Sequence, residues 1–326
     1  MRAMRIERYG GPEVASIVDA PMPLASPGMV LVRVAASGIN FMDIGTRQGR
    51  YENSRTYQVA LPCTLGMEGA GEVVEVGAGV TRVRPGDRVA WCLSWGSYAE
   101  FAAVPENLLA RLPDGIAFQQ AAAAMFQGAT AHYLVHDVAR LKDGDTCLVH
   151  AASGSIGQII TQMGRNRGAR VFATASTQQK RAVVASRGAD AVWGYEDFDQ
   201  RARDATDGAG VDVVFDSVGL TTLRSSMRCT RRRGLVINYG SVSGPVTDLD
   251  PLELGESGSL FLTRPRLGDH MTTAAEVQMR ADAIFGGILN GWLRIDIAGT
   301  YALESVHEAL DALESRRMIG KPVLLL

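Results

Sequence analysis

The residues best placed to do chemistry form a short run of small side chains between an apolar tetrapeptide and a helical stretch. Cys147-Leu148-Val149-His150 reads as a strand, Ala151-Ala152-Ser153-Gly154-Ser155-Ile156-Gly157 follows directly, and helical spacing begins at Gln158. A strand, a small-residue turn and a helix start are what a dinucleotide pyrophosphate needs. Gly154 lets the backbone approach the phosphates, Gly157 lets the helix pack close, and unpaired N–H groups at the helix start face the charge. Ala152 stands where the first glycine of such fingerprints is usual, which leaves a plain strand-to-helix turn as the alternative.

Roughly 20 residues further on, a free ribose 2'-hydroxyl usually meets an acidic side chain. Here the segment is Ala173-Thr174-Ala175-Ser176-Thr177, without an acid, and Lys180 and Arg181 follow. Hydroxyls and cations suit a 2'-phosphate, which selects NADPH over NADH. The alternative for Lys180 and Arg181 is a solvated helix face.

Metal chemistry finds less support. Cys63, Cys92, Cys147 and Cys229 are scattered without a C-x-x-C spacing, so they read as small core residues. His132 and His136 stand one helical turn apart, but no cysteine or carboxylate accompanies them at a recognisable spacing. They read as a solvated helix face, and no metal is expected.

These residues must be carried by a particular order of elements. The first third is β-rich, with candidate strands at 30–35, 70–76 and 88–91 and turns such as Pro85-Gly86-Asp87. That texture predicts a barrel- or sandwich-like domain. Residues 119–139 predict one long helix or two short ones. From 146 onward, strands at 147–150, 170–175, 191–193, 211–216 and 235–238 alternate with helices at 155–166, 178–187 and 221–229. This is the signature of a doubly wound parallel sheet. Arg231-Arg232-Arg233 reads as the end of a helix. A helix at 273–289, a strand at 295–298, a helix at 303–313 and a terminal strand at 323–326 complete the chain, the last returning to the first domain.

A length of 326 residues favours two domains over one core. The net charge of -2 gives no reason to expect nucleic acid or an anionic membrane as a partner. No apolar run reaches the roughly 20 residues needed to span a bilayer, and no signal-peptide core follows Met1, so a cytoplasmic enzyme is expected.

Motifs along essentially the whole chain resemble the zinc-independent quinone oxidoreductases of the medium-chain dehydrogenase/reductase superfamily, including the zeta-crystallin branch. They are Tyr9-Gly10-Gly11-Pro12-Glu13-Val14, Gly38-Ile39-Asn40-Phe41-Met42-Asp43, Leu65-Gly66-Met67-Glu68-Gly69-Ala70-Gly71 and Pro85-Gly86-Asp87-Arg88-Val89. Further on come the turn at 151–157, Phe215-Asp216-Ser217-Val218-Gly219, Arg233-Gly234, and Gly258-Ser259-Leu260-Phe261-Leu262-Thr263-Arg264-Pro265. The resemblance implies an α/β protein: a GroES-like catalytic domain over 1–122, a doubly wound Rossmann domain over 123–264, and a return to the catalytic domain over 265–326. Zinc relatives carry cysteine and histidine where this chain has Asn40 and Met67, so the resemblance implies hydride transfer without zinc to electron-poor acceptors, quinones or conjugated enones.

By the same resemblance, Asn40, Asp43 and Tyr51 stand at the reaction, with Tyr51 as candidate proton donor and Asn40 beside the nicotinamide ribose. Thr130 neighbours the nicotinamide amide, while Gly154, Ser155 and Ile156 hold the pyrophosphate. Ser176, Lys180 and Tyr195 surround the 2'-phosphate. Ser217, Tyr239, Gly240 and Ser241 line the inner groove, and Phe261, Leu262 and Thr263 close over the nicotinamide. Close relatives carry a tyrosine where this chain has Gly45, which is expected to widen the acceptor pocket. Two other readings stay open: an acryloyl-CoA-type enoyl reductase, with Arg47, Arg50 and Arg55 for the CoA phosphates, or a non-enzymatic NADPH-binding protein, crystallin-like or RNA-associated. A homodimer is implied, pairing through a sheet edge around 235–238.

Overall fold

A computed structural model describes residues 1–315 and 318–326. The chain forms two compact units, one comprising Met1–Ala129 with His270–Leu326, the other Thr130–Asp269.

In the first unit the ten-residue strand Met29–Gly38 organises a seven-stranded sheet. It pairs antiparallel with Glu68–Val76, Phe101–Pro105 and the terminal strand Lys321–Leu325. The terminal strand in turn lies parallel to Ile297–Ala302. Val30, Val32, Val34, Val73, Val89 and Trp91 fill one side, as β-branched residues on a pleated surface should. A second apolar cluster joins Met4, Ile6, Ile39, Ile44, Leu65, Tyr98, Val306 and Leu324. Gly38 is required where it stands. A Cβ there would lie 2.3 Å from the Ala122 carbonyl oxygen and 2.4 Å from Glu68 Oε2, so only glycine admits both the helix Phe118–Tyr133 and the Glu68 carboxylate.

The second unit is a six-stranded parallel sheet. Its order is Ala191–Trp193, Arg170–Thr174, Thr146–Val149, Val211–Asp216, Thr230–Asn238, Phe261–Thr263. The helix Ser155–Asn166 falls on the residues the spacing predicts. Phe198–Asp204 and Pro251–Glu256 are helices the sequence reading missed, being only about two turns long or less.

Three expectations are corrected here. Arg231-Arg232-Arg233 belongs to the strand Thr230–Asn238, with Arg233 at φ 57, because pairing with Val211–Asp216 begins at Thr230 and then shifts register. Residues 235–238 are not a sheet edge; Phe261–Thr263 pairs outside them. His132 is 6% exposed rather than solvated. The α-helix Phe118–Tyr133 continues as a π-helical turn, Leu134–Val138, and the His132 and His136 rings stack 4.3 Å apart. No group of three or more His, Cys, Asp or Glu side chains that could hold a metal occurs among the described residues.

Candidate functional site

In the first unit, Asn40 opens the helix Phe41–Arg47 and is 3% exposed. At the helix start the Asn40 carbonyl accepts the Asp43 N–H at 3.1 Å. The amide is committed elsewhere. Oδ1 accepts from Gln127 Nε2 at 2.6 Å and from Lys321 Nζ at 2.6 Å, while Nδ2 donates to the Gly38 carbonyl and to Glu68 Oε2, both at 3.1 Å. Glu68 Oε2 also accepts from Lys321 Nζ at 2.8 Å, and Oε1 accepts from the Phe126 N–H at 2.6 Å. Glu68 and Lys321 are 0% and 2% exposed, so this is a fully buried ion pair. Burial pushes the Lys321 ammonium below its usual range, and the Glu68 charge opposes that shift.

Asp43 lies beneath this network. Its Oδ2 accepts from the Asn40 N–H and from the Tyr98 hydroxyl, each at 2.7 Å, which fixes the helix start. Burial raises its carboxyl to about 7. Asp43 therefore faces the Asn40 backbone, not the Asn40 amide.

Tyr51 follows the turn at Gly49. A Cβ at Gly45 would lie 2.7 Å from Tyr51 Cε2, so the Tyr51 ring occupies the space beside position 45. The widening expected from Gly45 is offset in this way. Tyr57 meets the Tyr51 ring edge-on at 5.9 Å between centroids.

In the second unit the predicted cofactor residues gather at the carboxyl ends of the parallel strands, where doubly wound sheets bind their ligands. Gly154, Ser155 and Ile156 follow Thr146–Val149. Ser176 follows Arg170–Thr174, and Tyr195 follows Ala191–Trp193. Ser217 follows Val211–Asp216, and Tyr239, Gly240 and Ser241 follow Thr230–Asn238. Phe261, Leu262 and Thr263 form the outer strand itself; Phe261 is 63% exposed, while Leu262 packs on the core. Thr130, 6% exposed, sits on the helix Phe118–Tyr133.

The fit to a pyrophosphate is testable on the loop. No side chain caps the helix at Gly154, and the N–H groups of Ser155 and Ile156 meet no acceptor among the described residues. Such orphan donors at a helix start carry partial positive charge. A Cβ at Gly157 would lie 2.6 Å from Ala152 Cα and 2.7 Å from the Ala151 oxygen, so the tight turn needs glycine. Ala151 sits at φ 47, and Tyr195 accepts its N–H at 3.1 Å through the hydroxyl.

The loop is anchored further by a buried hydrogen-bond chain. Tyr195 bonds to Thr174, whose Oγ1 lies 2.8 Å from His150 Nδ1. His150 Nε2 lies 2.9 Å from Ser226 Oγ, which donates to Asp216 Oδ2 at 3.0 Å. These partners place the His150 proton on Nε2. Burial lowers His150 to about 4. Asp216 is further held by N–H groups of Val218 and Gly219 and by Thr222.

The structure adds contacts that sequence reasoning missed. Arg181 Nη1 donates to the Ala175 and Ser176 carbonyls at 3.3 and 3.4 Å, which fixes a cation beside Ser176, while the Lys180 backbone is tied to Thr177 Oγ1. Gln127 and Lys321 were likewise missed. The available signal for Lys321 was a lysine opening the apolar run Pro322-Val323-Leu324-Leu325.

The alcohol dehydrogenase GroES-like domain model matches residues 26–114, and the zinc-binding dehydrogenase model matches 155–276. A quinone oxidoreductase of Pseudomonas aeruginosa is 39% identical, with 99% of each chain covered. A 2-haloacrylate reductase of Burkholderia sp is 35% identical, covering 98% of this chain and 97% of its own. The crystal structure of Escherichia coli quinone oxidoreductase complexed with NADPH superimposes with a TM-score of 0.94 at 35% identity, covering all of both chains.

Proposed function

The chain belongs to the quinone oxidoreductase family of the medium-chain dehydrogenases/reductases, and from that premise we propose that it is an NADPH-dependent quinone reductase working without zinc. NADPH, when bound, supplies the hydride. The residues described above fit it: the Ser155 and Ile156 N–H groups for the pyrophosphate, and Ser176, Lys180 and Arg181 for the 2'-phosphate.

The zinc-free reading rests on one observation, the Lys321 ammonium held against Asn40 and Glu68. A divalent cation does not fit there. Neither Asn40 nor Met67 is a strong zinc ligand, and the Glu68 carboxylate is already neutralised by a buried cation. Asn40 is thereby fixed in one orientation by four partners. No Lewis acid polarises the acceptor, which favours acceptors that are already electron-poor. For a quinone, the reduced oxygens take protons from water, so the protein's tasks are positioning and exclusion of solvent. Tyr51, its ring over Gly45, is the candidate donor where an acceptor carbon needs a proton.

A second reading is favoured by the likeness to the 2-haloacrylate reductase: reduction of an activated C=C bond. Steady-state oxidation of NADPH with 1,4-benzoquinone, 2-chloroacrylate and acryloyl-CoA separates the readings. Turnover of the quinone is expected to lead; faster turnover of 2-chloroacrylate would move the assignment to alkene reduction, and turnover of none would favour a binding role. We place the expected dimer contact on the outer strand Phe261–Thr263, where Phe261 is 63% exposed. Light scattering on the Phe261→Asp variant tests it, with a monomer expected.

A further inference from the structure

The first unit carries a cavity of about 480 Å³ that includes none of the residues assigned above. It opens beside the strands Arg2–Ile6 and Cys63–Thr64, with Pro21, Pro23, Val59, Trp95 and Phe101 among its walls. Its size is that of a small-molecule site. Among the described residues, Arg5 is the one charged side chain in the lining, and no carboxylate lines it. Arg5 Nε is buried with no hydrogen-bond partner, and the guanidinium forms no ion pair among the described residues. Arg47 also has an unmatched buried Nε and Nη1, but it faces Glu314, whereas Arg82 and Arg88 donate to carbonyls. The Nε is closed off from solvent, so an anion entering the cavity would meet the rest of the guanidinium, whose charge no carboxylate among the described residues neutralises.

The chemistry of the walls narrows the ligand. A guanidinium fork matches a carboxylate, and flat apolar walls of proline, tryptophan and phenylalanine suit a planar hydrocarbon body. Cys63 also lines the cavity, but burial pushes its thiol up to about 11 and it donates to the Thr64 carbonyl, so no covalent step is involved. We propose that this cavity is a second binding site, taking a small aromatic or similarly flat apolar carboxylate with its charged end on Arg5.

Calorimetric titration of the full-length protein with 2-naphthoate tests it, with the neutral isostere 2-naphthamide as control. The expected result is saturable binding of the carboxylate, weakened about tenfold or more in the amide and in Arg5→Met. Binding is also blocked in Ala60→Trp, which fills the cavity from another wall. Arg5→Met should fold at least as stably as the parent, since it removes a buried donor without a partner, and quinone turnover should be unchanged. Absence of binding to the parent protein would overturn the proposal. So would equal binding of acid and amide, binding that survives both substitutions, or displacement of naphthoate by NADPH.

Discussion

Each unit buries a polar network, and the two are built on opposite electrical plans. Around Asn40 the first unit uses full charges: the Glu68–Lys321 pair is completely buried and shares its donors with the asparagine. Behind the cofactor loop the second unit uses a chain of hydroxyls and a neutral imidazole, from Tyr195 through Thr174, His150 and Ser226 to Asp216. The contrast follows from the tasks. In the zinc-free reading proposed above, the Lys321 ammonium neutralises Glu68 and grips Asn40 in place of a metal. Behind the phosphate loop the charge sits at the far end of the chain, on Asp216, and neutral groups stand between it and Ala151.

The sharpest way to break that contrast is to remove the cation. Lys321→Met leaves Glu68 charged and buried, and should cost about 3–5 kcal/mol of stability. Adding Glu68→Gln should recover much of that loss, because the uncompensated charge is gone. Chemical denaturation of the two variants checks this. A Lys321→Met protein as stable as its parent would mean that the pair is not the ionic centre of the unit.

The pH responses should also run in opposite directions. Burial raises Asp43 from 3.8 to about 7. Below 3.8 it is protonated folded or unfolded and costs nothing. As pH rises towards 7 the unfolded chain releases the proton first, and the first unit loses about 3–4 kcal/mol. Burial lowers His150 from 6.5 to about 4. Its contribution is complete above 6.5, and as pH falls towards 4 the unfolded chain takes up the proton first, costing about 3 kcal/mol. Thermal melts across pH 4 to 8 should show Asp43→Asn flattening the loss on the neutral side, and His150→Gln flattening the loss on the acid side. Variants that retain the parental slopes would remove the distinction.

Legibility from the sequence divides along the same line. The second unit was largely readable, since β-α alternation is local and the helix at 155–166 and most strands lie where periodicity puts them. Two of its short helices, Phe198–Asp204 and Pro251–Glu256, escaped because six or seven residues carry little pattern. The strand Phe261–Thr263 escaped because its three residues only make sense beside Leu235–Ile237. In the first unit Asn40 was legible through resemblance, but what holds it was not. Gln127 is 87 residues away and Lys321 is 281. Long-range pairing of that kind leaves no spacing to read, and a lysine before an apolar run looks like a strand boundary. Arg181 was noticed as a charge, but its fold-back onto Ser176 depends on a rotamer.

The smallest expected effect sharpens the comparison most finely, because it isolates one neutral link. Tyr195→Phe removes the hydroxyl that accepts from Ala151 and bonds to Thr174, while keeping the ring. A single neutral hydrogen bond of this type is worth about 1 kcal/mol, well below the ionic pair. Ala151 at φ 47 then loses the acceptor that holds its strained backbone in place. The KM for NADPH should rise several-fold with kcat nearly unchanged, as the proposed role of the loop in holding the cofactor requires. A fall in kcat at constant KM would instead place the Tyr195 hydroxyl at the reaction, and the neutral chain would no longer be a scaffold.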